Sequence, residues 1–163
     1  LRSVIPLCRV VIGNWHEVSV VLKAFNATSP LDLFSRLKPG PEEVVIVDKS
    51  SCMATLISRD GFKVTAGPVP VERRVSSVGC CDGFVVGFVN GMVQGMDRKE
   101  RLLAGLAVLS SVWGREDAQG GLPSVKAFKR LLGRIKRNVF IGSPALTPGE
   151  VGWMESQSEG AGS

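Results

Sequence analysis

A chain of 163 residues is long enough for one ordinary domain with a real core, and a composition that is 44% hydrophobic and 21% charged excludes a disordered chain. The net charge of +5 suits an anionic partner and equally suits a plain solvated surface. Four cysteines (Cys8, Cys52, Cys80 and Cys81) without a C-x-x-C pair, and the single histidine His16, exclude zinc-binding spacing and read as free thiols in a reducing intracellular compartment, cytoplasm or organelle interior.

The opening LRSVIPLCRVVIG has too short an apolar run, broken by Pro6 and Arg9, for a signal peptide or a membrane span. Its start at Leu1 points to processing or to a longer parent chain. Cys8–Gly13 is β-branched and ends on glycine, which predicts a short buried strand. A helix follows, with Val18, Val21, Leu22 and Phe25 at helical spacing, Asn14 as its cap and Glu17 completing a capping box. A second short helix is capped by Ser29, opens on Pro30 and stops at Pro39–Gly40. Glu42–Val47 is an unbroken apolar run of the kind buried on both faces of a sheet. MATLI and FKVTA, joined through Asp60–Gly61, predict a hairpin.

From Asp82 the period changes to helical, with Phe84, Val85, Phe88, Val89 and Met92 on one face. Gly83, Gly87 and Gly91 recur every four residues and predict close packing against a neighbour. A third long helix opens at Asp97 with Glu100 three residues on, and carries Leu103, Ala107, Val108, Ser111 and Val112 to Gly114. Arg115–Gly121 reads as a loop. Ser124 caps a fourth long helix whose inward residues are Val125, Phe128, Leu131, Leu132 and Ile135. VFIG supplies a last strand, and residues 142–163 read as a flexible tail, with Trp153 as an isolated aromatic anchor. The expectation is one α/β domain over residues 1–141, a mostly parallel sheet with a hairpin, covered by helices.

The stretch SSVGCCDGFVVGF, Ser76–Phe88, raises a chemical question. Asp82 at a helix mouth is either an ordinary capping carboxylate or a proton acceptor beside amides that steady a phosphoryl group. The stretch resembles the second signature of the pfkB/ribokinase family of sugar and nucleoside kinases, T-x-G-A-G-D followed by a helix of the form x-F-x-x-G-F. VVIGNWHEV is similar to the family's strand followed by N-x-x-E. The run from Gly40 to Val71 resembles its nucleotide-side strand and hairpin, and Glu100–Leu132 its helix, loop and Pro-Ser-capped last helix. The resemblance covers roughly Val10–Leu132 and implies a ribokinase-like half-domain. It implies Asp82 as catalytic base, Gly79, Cys80 and Cys81 as the anion-holding turn, Asn14 and Glu17 as the pair placing magnesium and phosphate, and ATP with Mg²⁺ as cosubstrates if the chain is active.

Three departures count against activity. The turn is G-C-C-D, and a side chain at Cys81 would meet left-handed backbone strain of about 1–2 kcal/mol and crowd a phosphate. Val47–Met53 lacks both glycines of the family's T-x-G-x-x-G turn; Lys49 there is either a phosphate contact or, as is usual for a loop lysine, a solvated side chain. The family's sugar-binding half is not in this sequence: either it lies on another chain or in a longer parent chain, or the half-domain buries its open side against a protein partner. Two functions follow: a shortened, degenerate module without kinase activity, acting as a structural or interaction subunit; or the C-terminal portion of an active ATP-dependent sugar or nucleoside kinase. The basic helix 125–137 adds either a solvated face or a weak RNA or phosphate contact.

Overall fold

The structure, a computed structural model, describes residues 1–71, 75–115 and 121–142. A single 3₁₀ turn at Ile5–Leu7, unforeseen in the sequence, leads into β1 (Val10–Gly13). Then come α1 (Trp15–Ala24), α2 (Pro30–Arg36), β2 (Glu43–Asp48), β3 (Met53–Ser58) and β4 (Lys63–Ala66). The chain continues with α3 (Cys80–Val93), α4 (Arg98–Trp113), α5 (Val125–Asn138) and β5 (Ile141–Gly142). The tail expected from residue 142 lies outside the described residues apart from Gly142, which pairs with Thr65 in the sheet.

The strands form one sheet in the order β1-β2-β3-β4-β5. Only β1 and β2 run parallel, with Val10 opposite Glu43 and Gly13 opposite Ile46; the other three pairings are antiparallel. The mostly parallel sheet expected from sequence is therefore a mixed one. Connection length decides this. Four-residue turns join β2 to β3 and β3 to β4, and turns that short join only antiparallel neighbours, whereas β1 reaches β2 through two helices.

Alternation along β2 sorts the core into two layers. Val44 and Ile46 face α1 and α2, where Val18, Leu22, Leu33 and Phe34 are buried. Val45 and Val47 face α3, α4 and α5, with Phe84, Phe88, Leu106, Leu109, Leu132 and Ile135. The doubly buried strand read from Glu42–Val47 is thus present, and helices cover both faces of the sheet. Among the described residues no helix is long and apolar enough to cross a membrane.

Glycines set the distance between α3 and α4. A Cβ at Gly87 would lie 2.3 Å from the Ala104 carbonyl oxygen, and one at Gly83 would lie 2.9 Å from Val112. Gly105 returns the favour, since its own Cβ would lie 2.6 Å from the Phe84 ring. The close packing read from the four-residue glycine spacing is what the helix uses. The buried face differs from the expected one, however. It runs through Cys80, Gly83, Phe84, Gly87, Phe88 and Gly91, while Val85 and Val89 are exposed. Hydrophobicity alone ranks valine above glycine, but at the points where α3 and α4 come closest, Gly83 and Gly87, there is no room for a side chain. Val125, expected inward on α5, is likewise exposed.

Two polar knots tie the layers together. The Arg59 guanidinium donates to the carbonyls of Phe34 (2.5 Å), Leu37 (3.0 Å) and Pro41 (2.8 Å), closing the C-terminal end of α2. Arg98 on α4 donates to Asp60 at 2.7 Å, and Asp60 also accepts from the Ser58 hydroxyl and from the Phe62 amide at 3.1 Å. The Ser58 and Arg98 bonds hold the Asp60 carboxyl at about 2, down from 3.8. A depressed carboxyl contributes stability above its unfolded value and loses it as pH falls towards its folded one. Urea midpoints are expected to drop between pH 4 and pH 2 in the native chain and to drop less steeply in Asp60→Asn.

Candidate functional site at the mouth of helix α3

The parallel pair fixes where a ligand would enter. With Gly13 opposite Ile46, the C-terminal ends of β1 and β2 open at the same edge of the sheet, the side on which α/β folds bind ligands. α1 starts there from β1, and the β2–β3 turn emerges there from β2.

At the start of α1, the Asn14 amide donates to Glu17 Oε2 at 2.8 Å, and the Glu17 amide donates to Asn14 Oδ1 at 3.0 Å. This is the reciprocal capping box expected from the sequence. Gly13 makes it possible, because a Cβ there would stand 2.9 Å from Glu17 Oε2. His16 between them is exposed.

α3 opens on a different device. Gly79 is its N-cap, in the left-handed conformation (φ 77°, ψ −3°), and no side chain caps the helix. Asp82 is therefore not the capping residue; it stands in the first turn, exposed, and among the described residues its carboxylate accepts no hydrogen bond. Its charge is still favoured there by the helix dipole. The Cys80 amide donates to the Ser77 carbonyl at 3.4 Å and the Gly83 amide to the Gly79 carbonyl at 2.8 Å. Between them, the amides of Cys81 and Asp82 have no acceptor among the described residues. Two unpaired donors, a positive helix end and a free carboxylate thus share one mouth.

The two cysteines divide the work. Cys80 is fully buried in the core, its thiol raised by burial and its Sγ 3.7 Å from the Ser76 carbonyl, so its side chain belongs to packing. Cys81 is half-buried at the mouth. Its thiol is raised first by burial; Lys49 draws it down, and the negative charges of Glu17 and Asp82 push it up. Those three groups, from α1, the β2–β3 turn and α3, thus all act on one sulfur. A raised thiol is a poor nucleophile, in keeping with a structural part for this cysteine.

The backbone strain expected at Cys81 is absent. Cys81 is helical, and the non-glycine residues with positive φ are Asn26 and Cys52 among those described. The second glycine of a G-A-G-D turn lies in the first turn of the helix, so a side chain there meets no conformational penalty. What Cys81 brings is bulk. The left-handed conformation falls instead on Cys52, at φ 53° in the β2–β3 turn.

That turn has a closed arrangement. The Ser50 amide donates to Asp48 Oδ1 at 2.9 Å and the Ser51 hydroxyl to Asp48 Oδ2 at 2.6 Å, with a further bond from the Ser51 amide at 3.4 Å. Burial raises the Asp48 carboxyl and these bonds outweigh it, leaving it below its ordinary value. Amides that already face a carboxylate do not face a phosphate. Lys49, exposed between them, is the residue of this turn that still addresses the mouth.

The site therefore joins Gly79, Cys81 and Asp82 on α3 with Asn14 and Glu17 on α1, and leaves Cys80 in the core. Lys49, considered from the sequence as a residue that could meet a phosphate, acts on the Cys81 thiol of the same mouth. Among the described residues no three His, Cys, Asp or Glu side chains group to hold a metal ion.

Such a mouth, on a mixed sheet with helices on both faces, belongs to an α/β fold of the class that binds ligands beyond the carboxyl ends of its parallel strands. Residues 1–125 match the pfkB family carbohydrate kinases, and the chain belongs to that family. No curated protein matches it by sequence comparison. The fold is similar to a nucleoside kinase of Methanocaldococcus jannaschii, an archaeal member of the ribokinase family, with a TM-score of 0.70 and 20% identity over 80% of this chain and 41% of that one. It is similar to the Burkholderia thailandensis nucleoside kinase in complex with ADP-inosine (TM-score 0.72, 22% identity, 90% of this chain, 44% of that one). It is also similar to Arabidopsis thaliana ribokinase complexed with ribose and ATP (TM-score 0.67, 19% identity, 81% and 43%). The matched part of this chain thus covers 41–44% of the length of these kinases.

Proposed function

We propose that this chain is a degenerate nucleotide-side module of the ribokinase fold, without phosphotransfer activity of its own, which works as an interaction subunit. The observation that carries the reading is the β2–β3 turn, whose Ser50 and Ser51 amides close onto Asp48 where the family form places open glycines. Asp82 stands exposed, and among the described residues its carboxylate accepts no hydrogen bond. The partner is an α/β half that extends the sheet. β1 is an edge strand bonded only to β2, and the outward face of α3 carries the exposed Val85, Val86, Val89 and Val93.

A second reading has its own support. The unstrained backbone at Cys81 and the two open amides beside Asp82 suit a polyphosphate, so the chain would be the nucleotide-side portion of an active kinase. The amides of Cys81 and Asp82 would then hold phosphate oxygens, Lys49 would offset their charge, and Asp82 would take the proton of the attacking hydroxyl. ATP would supply the phosphoryl group, and Mg²⁺ would neutralise its phosphates.

Thermal denaturation with ATP–Mg²⁺ separates the two. Under the first reading the melting temperature stays put at millimolar nucleotide. Under the second, saturation at about 100 times the dissociation constant adds about 2.7 kcal/mol and raises it by several degrees, with Asp82→Asn keeping that shift while losing all turnover.

A further inference from the structure

The charge of this protein is carried by one helix. α5 contains Lys126, Lys129, Arg130, Arg134, Lys136 and Arg137 and no acidic residue. Of the 20 cations and 15 acids in the chain, that leaves fourteen against fifteen elsewhere, a remainder of −1. The cations are exposed, and the apolar stripe of the same helix is turned inward, with Leu132 and Ile135 buried and Phe128 and Leu131 packed against the core.

Stability does not account for their placement. Lys136 and Arg137 in the last turn complement the helix dipole, and Lys136 pairs with Glu100 at 2.6 Å. Lys126, Lys129 and Arg130 lie in the N-terminal half, at the end where cations are unfavourable, and the first turn has no acid to offset them. Among the described residues Lys126, Lys129, Arg130 and Arg137 have no acidic partner. They span about 16 Å along the helix, at 1.5 Å per residue.

We infer that the outward face of α5 binds the phosphate backbone of single-stranded RNA without regard to sequence. A membrane surface would want apolar side chains among the cations, and here that stripe is occupied by the core. A duplex major groove takes a helix that can enter it, whereas α5 is held along one side by α4. The outward face has no aromatic side chain between Lys126 and Arg137 other than the inward Phe128, so base stacking adds nothing and the contact is electrostatic. A flexible strand can match its phosphates to the four unpaired cations.

The test is fluorescence anisotropy of a labelled 20-nucleotide oligouridine with the full chain between 50 and 200 mM KCl. About four contacts to a single strand give a slope of log affinity on log salt of about −3, a loss of about 50-fold over that range. Lys129→Glu with Arg130→Glu is expected to halve the slope and weaken binding at least tenfold at 50 mM KCl, and Lys126→Gln with Arg137→Gln to do the same more mildly. All four residues are exposed, and an unchanged melting temperature confirms that the variants fold. Native-like affinity in both variants, no binding at 50 mM KCl, or tighter binding to phosphatidylserine vesicles than to the RNA would each overturn the inference.

Discussion

Gly87→Ala is expected to destabilise the protein by about 3 kcal/mol, the upper part of the overpacking range, and to lower its melting temperature by about 6–12 °C. The new methyl group would stand 2.3 Å from the Ala104 carbonyl oxygen and 2.8 Å from its carbon. Both atoms belong to the backbone of a helix that is buried along much of its length, so neither can swing aside as a side chain tip would. The helices must separate, and separation opens the layer held by Phe84 and Phe88, whose ring centroids are 6.0 Å apart. Gly133→Ala is the control. Nothing lies within 4 Å of a Cβ there, so the same change on α5 should stabilise by about 0.5–1 kcal/mol through helix propensity. Thermal or urea unfolding of the two variants side by side reads the difference. Equal melting temperatures would mean that α3 and α4 do not approach as described.

Why the glycine spacing could be read while the buried face could not is itself instructive. Periodicity finds a helix and its neighbours, and both capping boxes, Asn14 with Glu17 and Asp97 with Glu100, form as their spacing implies. Those signals are local, because a cap and its partner lie within one turn. Which side of α3 is buried depends on how near α4 stands, a fact about Ala104 and Val112 that lies well away in sequence. Strand direction failed for a related reason. Glu42–Val47 announces a strand buried on both faces but says nothing about its neighbours, and the turns on each side decide that β3 runs against it.

At the site, the family resemblance carried an expectation about the backbone that the structure overturns. A glycine in such a motif implies a conformational need; at Cys81 the backbone is helical, so a side chain there adds bulk without strain. Cys52 shows the opposite case, an L-residue in the left-handed region at the place of the second glycine that the T-x-G-x-x-G form would put in this turn. The closing of the β2–β3 turn onto Asp48 follows from residues in plain view, since Asp-x-Ser-Ser is well suited to an Asx-type turn, but only the coordinates show that it uses the amides a phosphate would need.

Glu43→Ala is expected to destabilise by about 3–5 kcal/mol, the range for removing one partner from a buried ion pair. Glu43 is the first residue of β2, its side chain 7% exposed, and it accepts from Arg101 Nη2 at 2.8 Å and Nη1 at 3.1 Å and from Arg98 Nε at 3.1 Å. Arg98 keeps Asp60 when Glu43 is lost. Arg101 keeps no carboxylate, only the Phe88 ring 5.3 Å away, and its Nε is already without a partner. The loss therefore comes mainly from a guanidinium left charged in a place 12% exposed, not from the attraction removed. Two measurements distinguish these origins. Adding Arg101→Met to a Glu43→Leu variant should restore most of the stability, because a filled apolar site has no charge to strand. Raising KCl from 0.1 to 1 M should change the Glu43→Ala deficit little, since buried charges are weakly screened. A deficit under 1 kcal/mol that disappears in salt would mean that the pair is in effect a surface one, and that β2 is not fastened to α4 by this cluster.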